Sequence, residues 1–261
     1  MSSNPSYRHI FHGHAYAAGG FVSRPIHATI NVPASSSLPP DGGYQSAQAG
    51  PYNLENLIRF DAAYTQVAGS LDSDGTFTTL ASSVVENLNI FDVVRARRIV
   101  SQLAIYHKPG GKEIAAYPLG SRFEELYVAG RKIDVELDLD TFTANPSWSA
   151  LQKHLRSSRE LQDDLKRRWG WSGPECVTQP REDPESPVIM SLVRRASGCP
   201  GTPATPVYVI PVKGFGKVFL AELLMSRNAR RLTMVRLELG SPVEGKMSFG
   251  GAEGNGSMHP I

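Results

Sequence analysis

Apolar and polar side chains alternate through much of residues 57–107, and this alternation constrains the fold more than any other feature of the sequence. Successive side chains of a strand point to opposite faces, so the pattern predicts strands with one buried face. The stretches LIRFDAAYTQVAGSL and TFTTLASSVVENLNIF flank DSDG, in which Asp74-Gly75 is typical of a hairpin turn. Residues 129–132 predict a second turn, between RFEELYV and KIDVELDLD. The chain is therefore predicted to be mainly β and antiparallel.

Strand patterns resume at 207–213 and 217–239, and two architectures satisfy them: an antiparallel β-sandwich or an irregular β-barrel. A chain of 261 residues is consistent with a single β-rich domain over 1–261. Its 24 glycines and 19 prolines indicate many turns. We expect a Pro/Gly/Ser-rich loop at 33–53 and an irregular, turn-rich C-terminal tail at 240–261.

The helical signal is concentrated in one insertion, residues 146–169. Asn145 followed by Pro146 is typical of an N-cap and a first helical position. Trp148, Leu151 and Leu155 then recur at helical spacing, and a second apolar set continues to residue 169. The pattern predicts a short helical pair that covers one end or edge of the β core.

The charge balance argues against nucleic-acid and membrane partners. The formal net charge is only +2, which provides no strong field for polyanions. The first residues are polar, so a signal peptide is not indicated, and apolar runs are too short to cross a membrane. We therefore expect a cytoplasmic protein. Because exposed strand edges favour association, we expect it to associate with copies of itself or with another protein.

The stretch IDVELDLD places Asp134, Glu136, Asp138 and Asp140 on one face of a predicted strand, about 6.5–7 Å apart. That spacing is compatible with an inverting glycosidase, but any alternating acidic strand has it, and a solvated strand face is the simpler interpretation. Four like charges would favour cationic neighbours. We expect the acidic strand to pair with or lie near a strand that carries Arg95, Arg97 or Arg236.

The N-terminal sequence RHIFHGH brings His9, His12 and His14 within six residues, which is a potential ligand set for zinc or another divalent transition metal. In a strand, His12 and His14 would share a face and His9 would point the other way, whereas in a loop all three could converge. The alternative is that the three histidines bind no metal and are simply polar residues of an N-terminal strand or arm. No cofactor is otherwise predicted.

Cys176 and Cys199 are the only cysteines, and the sequence leaves open whether they form a disulfide. Neither a phosphate-binding loop nor a GxSxG nucleophile motif is present, so catalytic residues stay unknown.

Four stretches together resemble an uncharacterised bacterial family of about this length: SSVVENLNIFDVV, SRFEELYVAGRKIDVELD, GKVFLAELLMSRNARRLTMVRLELGSPV and EGNG. The resemblance spans about residues 10–256 and implies one coherent domain, without implying an activity, a cofactor or a site residue.

Three functions follow from these patterns. The first is a non-enzymatic structural, assembly or interaction protein, because strands dominate and a reaction motif is missing. The second is a metal-dependent enzyme or small-molecule-binding protein that uses the histidine cluster. The third is a carbohydrate-binding β-sandwich that uses exposed Trp148, Trp169, Trp171 or Tyr44.

Overall fold

A computed structural model describes residues 7–31, 33–111, 113–161, 163, 188–198, 208–226 and 229–260. Their strands, numbered in chain order, form two antiparallel sheets. The smaller sheet contains β1 Tyr7–Arg24, β2 Ala28–Ile30, β3 Ser35–Ser37, β14 Val188–Ser191, β16 Val209–Val212, β17 Gly216–Met225, β18 Arg230–Leu239 and β19 Glu244–Pro260. The larger contains β4 Gly43–Ala49, β5 Tyr52–Leu54, β6 Ile58–Phe60, β7 Ala62–Leu71, β8 Phe77–Ile90, β9 Val94–His107, β10 Ala115–Tyr117, β11 Arg122–Glu124, β12 Leu126–Val128, β13 Arg131–Leu137 and β15 Val193–Ser197.

The two sheets pack face to face as a sandwich, which decides between the two predicted architectures. Inward-pointing side chains from both sheets meet in the core, for example Val85 and Ile99 from the larger sheet and Val235 and Phe249 from the smaller. A second apolar cluster around Phe11 fills another part of the interior. The prediction of a mainly-β antiparallel fold is confirmed.

Both predicted hairpins form. At the first, β7 pairs with β8 from Ala62↔Glu86 to Leu71↔Phe77, and the Asp74 carboxylate accepts a hydrogen bond from the Thr76 amide at 2.9 Å. At the second, Val128 pairs with Arg131 across the two-residue turn 129–130. Local turn chemistry fixes both connections.

Two segments predicted to be irregular are strands. The predicted loop 33–53 contains β3, β4 and the start of β5. The predicted tail 240–261 contains β19, which pairs with β1 along almost its whole length and with β18 from Gly245 to Gly254. Its glycines let neighbouring side chains cross the strand: a Cβ at Gly251 would lie 2.1 Å from the Tyr16 ring, and one at Gly254 would lie 2.4 Å from Ile105. Glycine here serves close packing rather than turning.

The helical insertion begins earlier than predicted. α1 spans Leu139–Ala144 and α2 spans Trp148–Ser157, and residues 159–161 and 163 are also helical. Asn145 is the C-cap of α1 rather than an N-cap, and Ser147 caps α2 by accepting a hydrogen bond from the Ala150 amide at 3.2 Å. Residues 164–169 of the predicted insertion lie outside the described residues. Trp148 and Leu151 point into the core, as their helical spacing predicts.

Candidate functional site

The acidic stretch IDVELDLD divides between a strand and a helix, so its interpretation as one acidic strand face was wrong. β13 ends at Leu137, and Asp138 is the N-cap of α1. The Asp138 side chain is nearly buried and accepts hydrogen bonds from the Thr141 amide at 3.1 Å and from its hydroxyl at 2.9 Å. Capping the free amides of a helix outweighs the alternation that would continue the strand.

The acids that remain on the strand have other partners than those predicted. Glu136 lies opposite Arg195 in the pairing of β13 with β15, and their side chains form an ion pair at 3.3 Å. Lys132 lies 3.6 Å from the Asp134 carboxylate. These pairs are exposed, so each contributes at most about 1 kcal/mol.

The three arginines expected beside the acidic strand are engaged elsewhere. Arg97 binds Glu124 at 2.7 Å, and Arg236 binds Glu222 at 2.9 Å. The Arg95 guanidinium lies 5.7 Å from the centre of the Tyr127 ring. The predicted pairing was therefore wrong: β13 pairs with β12 and β15, and the arginine that meets Glu136, Arg195 of β15, lies about sixty residues away in the sequence.

The histidines of RHIFHGH lie on a regular strand, β1, and divide between its two faces as the strand alternative predicted. His9 is buried inside the sandwich, His12 is exposed, and His14 is half-buried with its Nε2 2.9 Å from the Ser35 hydroxyl. The described residues contain no group of three or more His, Cys, Asp or Glu side chains that could hold a metal ion. Metal binding by His9, His12 and His14 stays a prediction.

His9 sits in an aromatic cluster at the second apolar cluster of the core. Its ring stacks on Phe77 at 4.2 Å and meets the edges of Phe11 at 4.6 Å and His107 at 5.3 Å between ring centres. Burial, together with the nearby His107, lowers the pKa of His9 to about 4. The neutral imidazole is therefore the form that the folded protein favours.

The aromatic residues proposed for carbohydrate binding do not form one exposed surface. Trp148 is 2 % exposed and packs in the core, so the prediction of an exposed Trp148 was wrong. Tyr44 is 60 % exposed on β4. Trp169, Trp171, Cys176 and Cys199 lie outside the described residues.

Tyr44 belongs to a broad polar surface, which we call the outer face: the side of the larger sheet that points away from the smaller one. It includes Tyr44, Ser46 and Gln48 of β4, Tyr64, Gln66 and Ala68 of β7, Leu80, Ser82, Val84 and Glu86 of β8, Arg98, Val100, Gln102 and Ala104 of β9, Tyr117 of β10 and Arg122 of β11. The alternate residues of the same strands, such as Val67 and Leu103, fill the core, which is why these side chains point outward.

Strand register arranges the outer face in three rows that run across the strands. The first row is Gln48, Tyr64, Val84, Val100 and Arg122. The second row is Ser46, Gln66, Ser82 and Gln102. The third row is Tyr44, Ala68, Leu80, Ala104 and Tyr117. The second row is entirely polar, whereas the third has small or apolar side chains between two tyrosines.

Cavities open along this side of the sheet. One of about 280 Å³ lies over the first two rows, where Ser82 and Val100 are nearly buried and Tyr64 is 45 % exposed. A second, of about 580 Å³, is lined by Tyr117 and by side chains of the loops before β8 and after β9, including Lys108 and Glu113. A third, of about 550 Å³, lies at Asn87, Arg95 and Tyr127. The three cavities have no lining residue in common, so they are separate shallow depressions; we call the one over the first two rows the groove.

The charges within the groove are paired. Arg98 donates two hydrogen bonds to the Glu86 carboxylate, which raises the pKa of Arg98. Arg122 binds Glu124 at 2.8 Å, and with Arg97 it holds the pKa of Glu124 below its ordinary value. These contacts fix the side chains and leave little net charge for an incoming group.

The sequence patterns predicted these strands, but they did not indicate that the outer face is a functional surface. In AAYTQVAG, Tyr64 and Gln66 occupy the polar phase of the alternation. An aromatic ring and an amide on the polar phase of a strand are the signal that could have indicated the surface.

The fold and the outer face define a β-sandwich with an open, polar, tyrosine-containing groove on one sheet. The chain belongs to the family described as a domain of unknown function (DUF8256), whose model matches residues 9–226. The predicted membership of an uncharacterised family is confirmed, while the bacterial source stays a prediction. No curated protein matches the chain, and no solved structure does. In the part of the chain that the structure describes, no helix is both long and apolar enough to cross a membrane.

Proposed function

We propose that this protein is a non-enzymatic binding module and that the outer face holds an extended polar ligand. The observation that supports the proposal is the groove itself: side chains with hydrogen-bonding groups and exposed rings are aligned in rows on a rigid antiparallel sheet. Binding sites are concave and combine apolar or aromatic surface with a few fixed polar groups. Tyr64, Gln66 and Arg98 supply that combination around one cavity.

The sheet makes the surface ready for binding before a ligand arrives. β8 pairs with β7 and β9 along nearly its full length, so the backbone positions of the rows are fixed. Side chains held by ion pairs, such as Arg98 with Glu86, lose less conformational freedom when a ligand binds. An extended ligand is favoured because the rows continue across several strands, whereas a compact ligand would contact one cavity only.

A matched pair of variants tests the proposal. Tyr64 is 45 % exposed on the larger sheet, and Phe21 is 46 % exposed on the smaller sheet. Retention of the purified chain is measured on immobilised neutral polysaccharides, acidic polysaccharides and unfolded casein. We expect one class of polymer to retain the protein, with an affinity that Tyr64→Ala lowers by about tenfold, equivalent to about 1.4 kcal/mol, and that Phe21→Ala leaves unchanged.

The proposal fails if none of the three polymer classes retains the protein. It fails equally if Tyr64→Ala and Phe21→Ala have the same effect, since binding would then not use the outer face. Thermal unfolding of both variants shows whether each is folded; Tyr64→Phe, which keeps the ring, serves as the second variant.

A further inference from the structure

We infer that the ligand of the outer face is an uncharged polysaccharide chain that lies across the strands. This inference rests on the proposed function and specifies its ligand. Three properties of the face support it: the pairing of its charges, the chemistry of its second row, and the position of its tyrosines.

The charge pairing disfavours anionic polymers. Arg98 and Arg122, the arginines that line the groove, are bound to Glu86 and Glu124 respectively. A phosphate or carboxylate polymer binds by neutralising its charges with free Lys or Arg side chains. In the groove it would have to separate existing ion pairs and would meet the displaced carboxylates. An uncharged ligand leaves both pairs intact.

The second row matches the hydroxyl groups of a sugar. Ser46, Gln66, Ser82 and Gln102 each carry both a hydrogen-bond donor and an acceptor. A sugar hydroxyl is also both donor and acceptor, so a row of such groups can bond successive hydroxyls whichever way each one turns. Ordinary peptide backbone would satisfy one donor and one acceptor per residue and would gain more at an unpaired strand edge than on a sheet face.

The third row supplies the apolar contacts that a sugar ring needs. Tyr44 and Tyr117 lie at its two ends, with Ala68, Leu80 and Ala104 between them. Four steps between adjacent strands separate the two tyrosines by about 19 Å. Tyrosine offers an apolar ring face together with a polar hydroxyl, which suits the mixed surface of a pyranose. A chain of several sugar units is needed to reach both rings.

Affinity electrophoresis of the full chain tests the inference with defined probes. The neutral probes are hydroxyethyl cellulose, mannan, xylan, β-1,3-glucan and galactan, and the charged probes are carboxymethyl cellulose, polygalacturonate and heparin. We expect at least one neutral polymer to retard the protein. The retardation should persist when salt is raised from about 50 to about 200 mM, because phosphate-type binding is lost over that range.

Variants locate the contact. Tyr44→Ala and Tyr117→Ala are each expected to lower the affinity for the neutral polymer by up to about tenfold, and Gln66→Ala by a similar factor. Phe21→Ala is the control and should leave the affinity unchanged. Affinity should rise with oligosaccharide length until one chain reaches both tyrosines. Tyr44→Phe keeps the ring and should keep most of the affinity.

The outcomes separate this inference from the proposed function. If only acidic polymers or casein bind, and Tyr64→Ala weakens that binding, the outer face is a binding surface but the inference of an uncharged ligand is wrong. If a neutral polymer binds equally well to Tyr44→Ala, Tyr64→Ala, Tyr117→Ala and wild type, the face itself is wrong. If none of the probes binds, both are overturned.

Discussion

The buried imidazole of His9 makes a specific prediction about pH. Its pKa lies near 4 in the folded chain and near 6.5 without the fold, because burial, and to a smaller extent His107, disfavours the charged ring. Between these two values the unfolded chain binds more protons than the folded chain. The stability that His9 provides is therefore complete above about pH 6.5 and is lost as the pH falls towards 4.

The size of the loss follows from the two pKa values. A separation of about 2.5 units costs about 2 kcal/mol of unfolding free energy by pH 5 and about 3 kcal/mol by pH 4, relative to pH 7.5. His9 contributes that loss only while it is a titratable group in the core. In His9→Leu the corresponding part of the pH dependence should be absent.

The assay is urea unfolding at pH 7.5 and pH 5, read as the difference in unfolding free energy between the two. We expect that difference to be about 2 kcal/mol smaller in His9→Leu than in wild type, and unchanged in His12→Leu, whose side chain is exposed on the same strand. Reading the difference removes any effect of the substitution on packing. Equal differences in wild type and His9→Leu, or a His9 proton NMR titration with a midpoint near 6.5, would refute the reasoning.

Two further predictions concern the fold. Asp138→Ala removes the cap of α1 and should lower the unfolding free energy by about 1–2 kcal/mol, whereas the exposed Asp134→Ala should change it by less than about 0.5 kcal/mol; equal urea midpoints for the two variants would contradict the capping role. Gly20→Ala places a Cβ 2.2 Å from the Lys246 carbonyl oxygen at a φ of +129° and should cost more than about 2 kcal/mol, whereas Gly50→Ala, with an open surrounding, should be nearly neutral in thermal unfolding. A folded Gly20→Ala with wild-type stability would show that this close approach is not needed.

Sequence reasoning succeeded where a few neighbouring residues decide the structure. Asp74-Gly75 forms its turn because Gly75 adopts a φ of +82° and the Asp74 carboxylate bonds the next amide but one. The turn at Ala129 and Gly130 has positive φ at both positions, which a tight hairpin requires. Contacts of this kind are local, so the residue types alone predict them.

It failed where distant residues decide. The glycines of β19 were interpreted as turn signals, but they are needed because Tyr16, Ile105 and His9 lie against them from other strands. Asp138 was assigned to a strand because alternation continues through it, but the helix that it caps follows directly. Which arginine meets Glu136 depends on the pairing of β13 with β15, and neither strand carries a local signal of the other.

The outer face was only partly predictable for the same reason. The polar phase of β7 can be read from AAYTQVAG, and Tyr44 was singled out as an exposed aromatic residue. The rows arise only when β4, β7, β8 and β9 take their register, which places Gln66 beside Ser82 and Tyr117 beside Ala104. A binding surface made by register is a property of the sheet rather than of any single strand.

Chemical-shift mapping tests the central claim most directly. The isotope-labelled chain is titrated with a soluble neutral oligosaccharide drawn from whichever probe polymer retards it most, and backbone amide shifts are followed by NMR. We predict that the largest shifts fall on β4, β7, β8 and β9 around Gln66 and Ser82, with little change on β18. Shifts concentrated on the smaller sheet, or spread evenly over both sheets, would contradict the assignment of the outer face as the binding surface.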